Sequence, residues 1–184
     1  MKLLAGSIHG AYVADIEPIT DERGFFARIW SEDEFAAHGL AATWPHSNLQ
    51  FSPNRGTMRG LHYQAAPHAE IKLVRCTSGA VFDVTVDLRP SSPTYLEWMG
   101  IELSADNRRL VWIPEGCAHG YLTLDRDSEV YYLTSHVYVA EAATGVRHDD
   151  PALGIEWPAP VEVIARRDLE WPLIADGPGA GGGQ

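Results

Sequence analysis

The sequence predicts an all-β fold, a β-sandwich or barrel with a few short helices. Three observations lead there. Residues Ala80–Leu88 alternate apolar and polar with a period of two, as a strand with two different faces does. Further segments of strand-forming residues follow at short spacing: Ile71–Cys76, Leu96–Leu103, Arg109–Ile113, Gly120–Leu124 and Glu129–Tyr138. Turn signals such as Ser78-Gly79 and Pro114-Glu115-Gly116 separate them.

In chain order, Ser31-Glu32-Asp33-Glu34 opens a short helix. Ser31 can cap the Glu34 amide while the Glu34 carboxylate reaches back, and Gly39 ends the helix. In the extended segment around Arg59-Gly60-Leu61-His62-Tyr63-Gln64, residues Gly60, His62 and Gln64 share a face. Lys72, Val74 and Cys76 share a face of the next strand. Lys72 has two readings: an edge strand with its ammonium in water, or a buried cation aimed at developing negative charge. The second demands a partner, because burying a lone ammonium is costly.

In Ala80–Leu88, Phe82, Val84, Val86 and Leu88 form one face and Asp83, Thr85 and Asp87 the other. Mid-strand Asp83 is expected to face a polar cavity, and Asp87, near the strand end, to lie in solvent. Glu129–Tyr138 puts Tyr132, Thr134, His136 and Tyr138 on one face and Tyr131 and Leu133 on the other. A tyrosine lining a polar cavity can serve as a general acid.

The chain has 184 residues, enough for one domain with its own core. Residues 1–175 are expected to form that domain, and the Gly-rich stretch 176–184 a flexible tail. No apolar run can span a bilayer, and the first residues lack the apolar region of a signal peptide. Cys76 and Cys117 are too few for a disulfide framework, so a cytoplasmic location is expected. The net charge of −11 argues against non-specific binding to nucleic acid and against docking on anionic lipid. It does not exclude one small anion. Between His46 and Phe82 the bases Arg55, Arg59, Lys72 and Arg75 face Glu70 alone.

A single histidine among eight is a weak signal of function. Pro114-Glu115-Gly116-Cys117-Ala118-His119 has the spacing of a second cupin motif, whose histidine is often a metal ligand. The His-x-His pair that normally accompanies it is missing, since Tyr63-Gln64 follows His62. A substitute set would be His62, His68, Glu70 and His119, and a metal needs three or four convergent donors.

Taken together, an ordered set of motifs resembles the dTDP-4-dehydrorhamnose 3,5-epimerase family. These include Asp21-Glu22-Arg23-Gly24-Phe25-Phe26, Gly56-Thr57-Met58-Arg59-Gly60-Leu61-His62-Tyr63-Gln64, Lys72-Leu73-Val74, Phe82-Asp83-Val84-Thr85-Val86-Asp87-Leu88-Arg89 and Ile113-Pro114-Glu115-Gly116-Cys117-Ala118-His119-Gly120. Ser92-Pro93-Thr94-Tyr95, Asp149-Asp150-Pro151, Ile155-Glu156-Trp157-Pro158 and Arg167-Asp168 complete it, from Ile8 to about Pro172. The resemblance implies a metal-free cupin jelly roll that needs no cofactor. It implies epimerisation at C3, C5 or both of a 4-keto-6-deoxy sugar nucleotide, most simply a dTDP-linked one.

By the same resemblance, His62 matches the general base, Asp168 its carboxylate partner, Tyr132 the acid on the opposite face and Lys72 the cation near the 4-keto oxygen. Arg23 and Arg59 match residues near the pyrophosphate and sugar. Phe26 and Tyr138 match nucleotide contacts, Asn48 and His119 further substrate contacts, and Arg167 stands where many members have a lysine. Gln64 shares the His62 face and joins the candidate binding set. Arg28, His46 and Ala143 depart from the family pattern at the nucleotide end, so the reaction is better specified than the base. The family also implies a homodimer whose N-terminal strands cross between subunits, with Arg23 and Phe26 serving the neighbouring site. Two other readings stand beside this one: a metal-dependent cupin isomerase or dioxygenase, and a non-enzymatic jelly-roll sugar-binding protein.

Overall fold

Two sheets stack so that the polar face of Ala80–Asp87 looks inward and its apolar face outward. The computed structural model describes residues 1–176, so the tail expected from 176 onward lies, from Gly177, outside the described residues. The strands are β1 (Lys2–Ala5), β2 (Tyr12–Asp15), β3 (Ile19–Asp21), β4 (Gly24–Phe26), β5 (His46–Ser52), β6 (Thr57–Gln64), β7 (Lys72–Ser78), β8 (Ala80–Asp87), β9 (Trp98–Ser104), β10 (Leu110–Ile113), β11 (Cys117–Thr123), β12 (Ser128–Thr134), β13 (Ala143–Gly145) and β14 (Val163–Ile164). Two short helices are α1 (Glu32–Ala36) and α2 (Arg166–Leu169). Among the described residues no helix is long and apolar enough to cross a membrane.

One sheet runs β1-β2-β10-β7-β12-β5 and the other β13-β6-β11-β8-β9, with β14 pairing parallel to β6. The β3–β4 hairpin stands apart as a two-stranded ribbon. Apolar side chains gather in three layers. Val74, Cys76, Val81, Val111, Tyr121 and Val130 fill one part of the space between the sheets. Phe82, Val84, Val86 and Leu122 point out of the second sheet and are covered by Leu153, Ile155, Trp157 and Val161. Leu73, Leu110 and Trp112 on the outside of the first sheet are covered by Phe35, Trp30 and Trp44.

Four expectations change. The Ser31 side chain makes no cap hydrogen bond. Glu34 pairs instead with the Met1 ammonium at 3.0 Å, and α1 is anchored by Phe35, fully buried between Trp30 and Trp112. That burial alone is worth about 2–3 kcal/mol. Asp87 is not in solvent. Its buried carboxylate accepts from Arg89 Nε and Nη2, both at 2.8 Å, and from Thr94 Oγ1 at 2.7 Å. Lys72 does not lie on an edge: β7 runs between β10 and β12, and the lysine is buried. Finally, β12 ends at Thr134, whose hydroxyl bonds the His136 carbonyl at 3.0 Å, so His136 and Tyr138 lie beyond the strand.

Candidate active site

The polar end of the space between the sheets is built by register. Lys72 is the Cα partner of Ile113 on one side and Thr134 on the other, and Tyr132 pairs with Val74 and Asn48. In the opposite sheet His119 is the partner of both His62 and Thr85. Gly60 makes this approach possible. It sits at φ 124°, and a Cβ there would stand 2.6 Å from the Gly120 Cα. The β6–β11 register shifts beside it, between His119 and Tyr121.

His62 Nε2 lies 2.6 Å from Asp168 Oδ1, and the Gly60 amide donates to Asp168 Oδ2 at 3.1 Å. Burial would raise the Asp168 pKa, but the His62 and Gly60 hydrogen bonds outweigh it and hold the carboxyl below its usual value. An ionised Asp168 fixes the proton on Nε2 and leaves the lone pair on Nδ1. Behind this pair, the Trp171 ring meets the His62 ring edge-on at 6.2 Å, and the Arg167 guanidinium lies 5.0 Å from the Trp171 ring centroid.

A second imidazole–carboxylate pair joins His119 Nε2 to Asp83 Oδ2 at 2.7 Å, so Asp83 faces the polar interior as expected. Lys72 Nζ donates to the His62 carbonyl at 3.2 Å and pairs with Glu70 Oε1 at 3.3 Å. Burial lowers the Lys72 pKa, opposed by Glu70 and Asp83. Burial raises the Tyr132 pKa, and Glu70 adds to this while Arg59 subtracts, so the phenol stays protonated at neutral pH.

Three adjoining cavities of about 230, 40 and 420 Å³ meet at His62. The first is lined by His46, Asn48, Gln64, Glu70, Lys72, Tyr132, Tyr138, Ala143 and Arg167. The second brings Arg59 and His119 alongside Lys72 and Tyr132, and the third holds Asp168 and Arg167. Arg59 is anchored by Ser52 Oγ at 3.1 Å and the Phe51 carbonyl at 3.0 Å. Gln64 lines the cavity, yet its amide is engaged by Glu70, the His68 and Val137 carbonyls, and the Val139 amide.

Arg23, Phe26 and Arg28 are exposed on or beside the β3–β4 hairpin and line none of these cavities. The substitute metal set does not converge. His62 and His119 each direct Nε2 at an aspartate, Glu70 pairs with Lys72, and the His68 ring lies against His136. Among the described residues no group of three or more His, Cys, Asp or Glu could hold a metal ion. Sequence reasoning missed Trp171, which lies just beyond α2, and only the fold brings its ring against His62.

The sequence profile of the dTDP-4-dehydrorhamnose 3,5-epimerase family matches residues 5–176. An enzyme of that name from Shigella flexneri is 38% identical over 177 residues, covering 96% of this chain and 97% of its own. A dTDP-4-dehydrorhamnose 3-epimerase from Streptomyces niveus is 37% identical over 182 residues, covering 98% and 87%. The crystal structure of the 3,5-epimerase from Bacillus anthracis str. Ames, with TDP and PPi bound, superposes with a TM-score of 0.91 at 35% identity, covering 94% of this chain and 99% of that one. With the jelly-roll sheets and this cavity already in view, the match settles the family: the chain belongs to the dTDP-4-dehydrorhamnose 3,5-epimerases, isomerases of the cupin fold.

Proposed function

We propose that residues 1–175 act as one domain that epimerises a dTDP-linked 4-keto-6-deoxy sugar at C5, C3 or both, through an enolate. One observation carries the mechanism. His62 stands on one sheet and Tyr132 on the other, so base and acid line opposite walls of one cavity. His62 Nδ1 takes the proton beside the ketone, and Asp168 stabilises the imidazolium that forms. Tyr132, held protonated, returns a proton from the other face, which inverts the centre. Return by His62 alone would give exchange without inversion.

Lys72 faces the charge that grows on the keto oxygen, where a preorganised donor is worth about 3–4 kcal/mol. The ketone is itself the electron sink, so these residues need no cofactor. Arg59 and Arg167, with His46, Asn48, His119 and Tyr138, surround the path of the diphosphate and nucleoside, and guanidinium forks suit phosphate oxygens. The exposed Arg23, Phe26 and Arg28 fit a homodimer in which the hairpin reaches the neighbouring subunit's site. A cytoplasmic location fits the cysteine usage.

The test is NMR in deuterated water against a panel of 4-keto sugar nucleotides. Deuterium should enter at C5, at C3 or at both, with inversion. His62→Ala should abolish exchange and inversion together. Wild-type exchange rates in His62→Ala would overturn the base assignment.

A further inference from the structure

We infer that Glu70 is a positioning residue for the reaction, its carboxylate fixing the Lys72 ammonium as a charged donor at the keto-oxygen side of the cavity. This rests on the role proposed above for Lys72. Glu70 lies on the connection between β6 and β7, with its side chain 12% exposed, and Lys72 opens β7 with its side chain 9% exposed. Their charged atoms are 3.3 Å apart.

Glu70 is not free to swing away. Its other oxygen accepts from Gln64 Nε2 at 3.1 Å, and Gln64, itself buried, reaches the carbonyls of His68 and Val137 and accepts from the Val139 amide at 2.7 Å. One glutamine thus ties Glu70 to both loops that rim the cavity. Lys72 Nζ is then held between Glu70 and the His62 carbonyl.

The electrostatics require such a partner. Burial pushes Lys72 towards the neutral amine, a weaker donor to an enolate, and Glu70 is the larger of the two carboxylate influences that oppose this. Asp83 from β8 is the other, and it is already bonded to His119. The remaining charged or titratable groups around the lysine are His62 and Arg59 from β6, His119 and Tyr121 from β11, and Tyr132 from β12. Glu70 also pushes Tyr132 up, so one carboxylate keeps both the cation charged and the acid protonated.

The chain has two lysines, Lys2 and Lys72, so protein grown with ¹³C-lysine gives two Cε signals, which Lys2→Arg assigns. In Glu70→Gln, which keeps the shape and a hydrogen bond to Gln64, the Lys72 titration should move to lower pH while Lys2 stays. The alkaline limb of kcat should move down in step. At neutral pH kcat should fall on the order of tenfold, less than complete loss of such a donor costs, with KM changed less. Glu70→Asp should restore part of both. An unmoved Lys72 signal, or a moved signal with an unmoved limb, would overturn the inference. Absence of any exchange by the wild-type protein would overturn the proposed reaction instead, and the Lys72 titration would still be readable.

Discussion

Asp168 Oδ1 lies 2.6 Å from His62 Nε2, across 106 residues of chain. The contact joins α2 to β6, and a backbone amide from the same strand braces the second carboxylate oxygen. Asp168→Asn should keep the shape and lose the fixed imidazole tautomer and the charge beside the imidazolium. We expect kcat to fall at least 10²-fold with KM nearly unchanged, measured in a steady-state epimerisation assay.

Tyr132→Phe should separate exchange from inversion. The phenol stands on the sheet opposite His62, so its loss leaves proton abstraction intact. Deuterium uptake from solvent should persist while inversion falls 10²-fold or more, read by NMR of the same sample. Parallel loss of both would show that Tyr132 does something other than reprotonate.

The alkaline limb of kcat should report Lys72. Burial lowers its pKa and raises that of Tyr132, which brings loss of the ammonium proton closer to neutral pH and moves loss of the phenol proton away from it. Lys72→Arg, whose cation does not titrate in this range, should shift the limb upward whatever its absolute rate. Lys72→Met should lower kcat by about 10²–10³ at neutral pH.

Trp171 should matter to rate without touching the reacting carbon. It sits against His62 and beneath Arg167. Trp171→Ala removes the ring that backs the base and frees the His62 imidazole, and a shift of about 1 Å there can cost roughly 10²-fold. Gly145→Ala should act the same way, because its Cβ would stand 2.5 Å from the Leu61 carbonyl oxygen and 2.6 Å from Trp171 Nε1. Steady-state rates of the two variants should fall together.

Asp87 should be a determinant of stability. Burial opposes its charge, but Arg89, Ser92 and Thr94 more than offset this and depress its pKa. A depressed pKa stabilises the fold above the unfolded value of about 3.9 and loses that contribution as pH falls below it. Asp87→Ala should cost about 3–5 kcal/mol at pH 7, since it strands the Arg89 cation, and should flatten the acid fall in urea midpoint.

The strands around Lys72, Asp83 and Tyr132 were legible because alternation shows directly in the residue order. The family motifs made His62, Lys72, Tyr132 and Asp168 legible as a set, and the fold brings all four to one group of adjoining cavities. The partner of Lys72 was not legible as such. Glu70 is two residues away, but only the loop held by Gln64 turns its carboxylate onto the ammonium.

By itself, then, the sequence determined that the chain is a β-sandwich, which strand faces are polar and which family it resembles. Alternation already pointed Asp83 at a polar cavity, and tertiary structure decided what covers the opposite face. The apolar face of β8 is covered by the segment around Leu153–Trp157, so its aspartates line the interior. It also decided that Asp87 is buried, that Lys72 is central and that Trp171 backs the base. The physical reason is that period two assigns side chains to faces locally, whereas the cover over each face and the partner of each buried charge come from residues distant in the chain.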